Sequence, residues 1–143
     1  RAQVDVHLIL RRGPEILLGL RHGTGWADGC WRLPSGHGET GEPATRTAVR
    51  EAHEETTVTI RPGDLRLVHV LHHHTDSARM ALFFEATRWS GQPTNAEPDK
   101  CAGLRWFALA DLPEQMIPYA RYALDHCAMG EVYGERGWPE HTS

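Results

Sequence analysis

Along the opening segment Val4, Val6, Leu8 and Leu10 alternate with Gln3, Asp5 and His7. This two-residue period predicts a strand with one buried face. Gly13-Pro14 marks a turn, and residues 16–20 predict a second strand, so the two read as a hairpin. Residues 23–29 form a polar, glycine-rich loop; Trp31–Leu33 is a short apolar run broken by Pro34-Ser35-Gly36. Residues 43–56 have no Gly and no interior Pro and are rich in Ala, Arg and Glu, which predicts a helix with Pro43 at its first position. Residues 65–74 and 80–87 predict two strands joined at Thr75-Asp76-Ser77. A long polar loop covers 90–102, residues 104–109 predict a short strand, and residues 118–128 a closing helix with Tyr119, Tyr122, Ala123 and Cys127 near one face. The pattern gives an α+β domain, a mixed sheet with helices on its faces.

The 143 residues are one domain's worth of chain, so a single domain over 1–143 is expected. Hydrophobic content of 40% and charged content of 24% exclude global disorder. No apolar run is long enough to span a bilayer, and a net charge of −4 argues against a binder of nucleic-acid polymers. Cys30, Cys101 and Cys127 are odd in number without CxxC spacing, which fits a reducing compartment. Arg1–Asp5 leads straight into the alternation, so no signal peptide is expected, and the location predicted is the cytoplasm. Lys100 is the sole lysine and sits in an acidic loop, where it could face a ligand phosphate.

The chemistry concentrates in residues 36–58. Glu51, Glu54 and Glu55 stand at i, i+3 and i+4, on one helical side. Like charges at that spacing repel, and Arg46 and Arg50 offset part of the repulsion; a divalent cation would offset more. Oxygen-only donors favour Mg²⁺, or Mn²⁺, over zinc. Ala44, Ala48 and Ala52 make a neighbouring stripe small enough to sit close on a sheet. A helix face laced with salt bridges would show the same acids, so the wider spacing decides. Gly36, five residues, Glu42, seven residues, then Arg50-Glu51-Ala52-His53-Glu54-Glu55 resembles the signature of the Nudix hydrolase superfamily, MutT-like members included. Thr57 departs from it, standing where the family has the glycine that ends the helix in a left-handed conformation, so a different helix end is expected here.

The resemblance implies an α/β/α sandwich with a mixed central sheet. It also implies a Mg²⁺-dependent pyrophosphohydrolase that cleaves a nucleoside diphosphate-linked substrate. The substrate expected first is a nucleoside triphosphate, giving a monophosphate and pyrophosphate. By resemblance Glu51, Glu54 and Glu55 are metal ligands with the Gly36 carbonyl, Arg50 pins a carboxylate, and Glu42 and Glu39 brace the loop–helix junction. The general base is open between Glu97, placed after Gly91-Gln92-Pro93, and Glu51. Arg21, Arg32 and Lys100 are candidates for phosphate contact. Trp26, Trp31, Trp106, Phe83 and Tyr119 are candidates for a stacking wall, with Trp31 and Trp106 expected in the core. Met116-Ile117-Pro118-Tyr119 lacks the paired Asp residues of some MutT-like enzymes that act on oxidised purines. His69 and His72-His73-His74 lack zinc-site spacing and are expected as partly exposed strand residues, a histidine in the substrate pocket being the other reading. A non-catalytic nucleotide-binding domain, or a hydrolase of nucleotide sugars or dinucleoside polyphosphates, is the alternative. The partner expected is a small nucleotide, with no membrane; a homodimer stays open.

Overall fold

The computed structural model describes residues 3–139. The first two strands, β1 (Gln3–Arg12) and β2 (Glu15–Arg21), meet as a hairpin at Arg11↔Ile16 and Arg12↔Glu15, around Gly13 at φ 58°. They then diverge. The rest of β1 pairs in parallel with β6 (Ala78–Ala86), from Gln3↔Arg79 to Leu10↔Ala86. β2 pairs antiparallel with β3 (Trp31–Arg32) on one side and β7 (Cys101–Ala108) on the other. β5 (Arg66–His74) lies antiparallel beside β6, and β8 (Tyr133–Arg136) runs parallel to β5 at the edge. β4 (Ser35–His37) pairs with β1 at Asp5↔His37, Val6↔Gly36 and His7↔Ser35. Among the described residues the result is a mixed sheet of eight strands.

Strand alternation sends the two faces to two helices. Val6, Leu8 and Leu10 of β1 join Leu17, Phe84 and the alanines Ala48 and Ala52 of α1 (Ala44–Thr56). Ile9, Ile16, Leu18, Leu71 and Phe83 pack against Ala120, Ala123 and Leu124 of α2 (Pro118–Ala128). Each large side chain removed from water contributes roughly 1.5–3 kcal/mol. The sheet therefore carries a helix on each face, the α/β/α sandwich.

Five local expectations change. Pro43 is the residue before α1, at φ −70° and ψ 155°, and its carbonyl accepts from the Arg46 and Thr47 amides at 3.0 and 3.1 Å. Ser35–His37 is a strand rather than a break, because pairing to β1 supplies hydrogen bonds that its own residue types do not favour. β8 follows the closing helix where no strand was expected; it is short and mostly exposed. The last strand before α2 also begins earlier, at Cys101, where it pairs with Arg21 across a bulge. Thr57 reverses the expectation drawn from its β-branch. It takes the left-handed conformation at φ 66° and ψ 0°, with its amide donating to the His53 carbonyl at 3.0 Å. Its hydroxyl donates to the Thr56 carbonyl.

Candidate active site

The acids are organised by Arg50. Its Nε and Nη2 donate to the two oxygens of Glu42, both at 2.9 Å, a fork that a lysine could not form. Its Nη1 reaches Glu51 at 2.7 Å and Glu54 at 3.4 Å, and its Nη2 also donates to the His37 carbonyl at 3.2 Å. Glu39 lies at the margin, 3.9 Å from Nη1. Glu42 accepts further from the Thr47 hydroxyl at 2.7 Å. The Arg50 and Thr47 hydrogen bonds hold the Glu42 carboxyl down to about 2. One cation thus ties the loop before α1 to the third turn of the helix.

The three acids of α1 fan apart. Glu55 turns inward, buried beside Ala52, where Arg32 Nη2 donates to it at 2.9 Å and the Ser35 amide at 3.2 Å. Burial raises its pKa well above the usual carboxylate range; Arg32 opposes this, and the hydrogen bond and charge of Glu51 and the charge of Glu97 add to it. Glu51 is mostly buried, and Glu54 is 53% exposed. Gly36 faces Glu51 so closely that a Cβ there would overlap its carboxyl group. Among the described residues no three of these side chains close on a single point. Glu97 is half-buried on the 90–100 loop and lines a small void with Arg32, Glu55 and Cys101.

Ser35 and Gly36 also form part of the wall of a cavity of about 700 Å³. Arg21, Trp26, Arg32, His37 and Tyr119 line it as well. Arg21 lies 5.0 Å from the Trp26 ring and donates to the Trp26 carbonyl at 2.8 Å and the Thr24 hydroxyl at 2.7 Å. Asp28 accepts from the Thr24 hydroxyl and the Gly25 amide, so the glycine-rich loop is tied in place with Trp26 57% exposed. Lys100 does not line the cavity; it is exposed, and its carbonyl accepts from the His22 amide at 3.0 Å. Phe83 is fully buried behind His7 and cannot serve as a ligand wall. Trp31 packs edge-on against Phe107 and Trp106 stacks near Trp89, each partly buried against a core cluster.

The histidines depart from expectation. His69 and His73 are buried, while His72 and His74 lie on the other side of β5 against Trp138. His73 lines the cavity together with His7, a residue the sequence reading passed over because it stood at a polar position of an ordinary amphipathic strand. Asp5 is buried at the same wall, bonded to Arg79 at 3.1 Å and to His37 Nδ1. A carboxylate and two imidazoles on the α2 side of the sheet were legible only once β1 and β5 were known to share that face.

A sequence profile for the NUDIX domain matches residues 1–127. The chain belongs to the Nudix family. A MutT NUDIX hydrolase from Burkholderia pseudomallei is 32% identical, with a TM-score of 0.80 over 87% of this chain and 97% of that one. The mutator MutT protein from Bacillus halodurans is 23% identical, with a TM-score of 0.76 over 95% and 90%. The MutT protein from Methanosarcina mazei Go1 is 21% identical, with a TM-score of 0.76 over 90% and 94%. The last two likenesses concern the fold alone. Nudix hydrolases act on nucleoside diphosphate-linked small molecules, and this one has an acidic helix with a cavity adjoining it. Among the described residues no helix is long and apolar enough to cross a membrane.

Proposed function

We propose that this Nudix hydrolase is a Mg²⁺-dependent pyrophosphohydrolase of nucleoside triphosphates, releasing a nucleoside monophosphate and pyrophosphate. The observation that carries the reading is the junction at Ser35-Gly36. On one side stand Glu51 and Glu55; on the other opens a cavity of about 700 Å³, within the range of small-molecule sites. The donor set fits a hard dication. Glu51, Glu54, Glu55 and the Gly36 carbonyl offer oxygen alone. Burial, and the charge of Glu51 beside it, push the Glu55 carboxyl above its usual range, so this is a place where a cation would relieve repulsion. Held by these residues, Mg²⁺ would supply charge neutralisation for the phosphates and a lowered pKa for the attacking water. Mn²⁺ would meet the same donors.

The protein's own groups divide the remaining work. Arg50 hydrogen-bonds Glu51 and Glu54 and so orients them, while Glu42 fixes Arg50. Arg21 lines the cavity beside Trp26 and can face a phosphate; Trp26 gives the substrate a flat apolar surface at the mouth. Arg32 holds Glu55 and touches both the cavity and the void beside Glu97, so it positions the acid as well as facing substrate. Glu97 or Glu51 accepts the proton from water as oxygen attacks phosphorus and the bridging P–O bond breaks, with pyrophosphate leaving.

Incubation with Mg²⁺ and each nucleoside triphosphate, with products separated by mass, tests the reading. Monophosphate and pyrophosphate are expected from the wild type, with a fall of at least a hundredfold in Glu54→Gln at unchanged folding. Release of orthophosphate and a diphosphate, or equal turnover in Glu54→Gln, would overturn it.

A further inference from the structure

The face of the sheet under α2 should be apolar throughout, since α2 buries it. It is apolar at Ile9, Leu71, Ala81 and Phe83. Beside these, strand register places four polar residues on the same face. Asp5 pairs with Ala81, His7 with Phe83, and His73 with Arg79. Tyr119 of α2 comes down there, edge-on to His7 at 5.5 Å and tilted against His73 at 4.8 Å. Both imidazoles line the cavity yet are only 4% and 2% exposed. Among the described residues His7 Nε2 and both ring nitrogens of His73 find no hydrogen-bond partner, and all three are shielded from solvent. Burial lowers both pKa values, His7 to about 4, so both rings are neutral at pH 7. Each then carries one N–H donor and one bare acceptor nitrogen. Asp5, in contrast, is already bonded to Arg79 and His37.

We propose that His7 and His73 are the specificity-determining residues of the cavity, reading the hydrogen-bonding edge of the substrate's nucleobase once Tyr119 moves aside. The inference rests on the nucleotide reading above and deepens it. Neutral imidazoles beside an aromatic ring suit a planar, uncharged heterocycle that both donates and accepts. They give nothing comparable to the sugar-phosphate end, which the arginines at the other wall would hold. Base discrimination therefore belongs to the floor and should be separable from catalysis at α1.

The test uses binding without metal. Isothermal titration measures each of the four nucleoside 5′-monophosphates and ribose 5-phosphate against the wild type, His73→Phe and His7→Phe, the last two checked by circular dichroism. In the wild type at least one monophosphate is expected to bind ten times or more tighter than ribose 5-phosphate. In each variant that ratio is expected to fall below three while ribose 5-phosphate affinity stays the same. His73→Asn, which keeps one donor and one acceptor, should recover part of the ratio and replaces His73→Phe if that variant misfolds. Equal wild-type affinity for ribose 5-phosphate and every monophosphate overturns the proposal, as does a ratio that survives both Phe variants, or a loss that is the same for ribose 5-phosphate. Failure of the hydrolase reading is read separately, as absence of Mg²⁺-dependent cleavage by the wild type.

Discussion

Replacing His7 by Phe should remove a pH-dependent weakness from the fold. His7 lies parallel to Phe83, with ring centroids 4.7 Å apart and planes 12° apart, so a phenyl ring fits the same slot. Burial holds the folded pKa at about 4 against 6.5; Asp5 opposes this, and His73, Arg32 and His37 reinforce it. The native state thus refuses a proton that the unfolded chain accepts below pH 6.5, and stability falls with pH between about 6.5 and 4. Linkage gives a loss of about 0.2 kcal/mol at pH 7, about 2 kcal/mol at pH 5 and about 3 kcal/mol at pH 4. His7→Phe should lose none of this. Removing the unpartnered Nε2 adds a pH-independent gain of roughly 1–3 kcal/mol. Thermal unfolding of both proteins from pH 7.5 to 4.5 measures the difference. At roughly 3 °C per kcal/mol for a chain of this size, the gap in Tm should widen by about 6 °C between pH 7 and pH 5. Other carboxylates and histidines titrate in both proteins and cancel in the comparison. Parallel pH profiles would refute the argument that His7 is held neutral by burial.

Thr57→Gly should raise Tm by a few degrees, because a β-branched residue at φ 66° costs about 1 kcal/mol relative to glycine; differential scanning calorimetry reads the shift. In Gly36→Ala the new Cβ would overlap the end of a flexible Glu51 side chain. Tm should therefore move little, while turnover drops at least tenfold as Glu51 is pushed aside. Arg50→Lys keeps the charge but loses the fork on Glu42, and should lower kcat tenfold or more without raising KM to match; steady-state kinetics separates the two.

The sequence made the acidic helix legible because its chemistry is local. Gly36, Glu42, Arg50 and Glu51 lie within sixteen residues, and their fixed spacing along the chain marks them. The two helices and the long strands were legible from local residue choice and turn signals in the same way. Other features depended on distant pairing. Ser35–His37 becomes a strand only because β1 runs beside it, and β8 only because β5 has an open edge. The buried histidines were hidden for the same reason. His7 and His73 stand 66 residues apart in sequence, and alternation shows that each has a face without showing what that face meets. Thr57 shows a different limit. Its side chain disfavours a left-handed helix end, yet the surrounding turn imposes one, with the Thr57 hydroxyl also 3.4 Å from the Gln92 carbonyl.

The branching of β1 sets an order of assembly. Its far end closes with β2 across two residues, a contact available as soon as that stretch of chain exists. Its near end pairs in parallel with β6, joining Gln3 to Arg79 across 76 residues. Closing so long a loop costs conformational entropy before any contact rewards it. The hairpin and α1 are thus the local, early-forming parts, and the cavity floor is a late product of the fold. During synthesis the acids of α1 leave the ribosome before the strand that completes the floor. A nascent chain can therefore carry the whole acidic signature while the cavity beside it still lacks its floor.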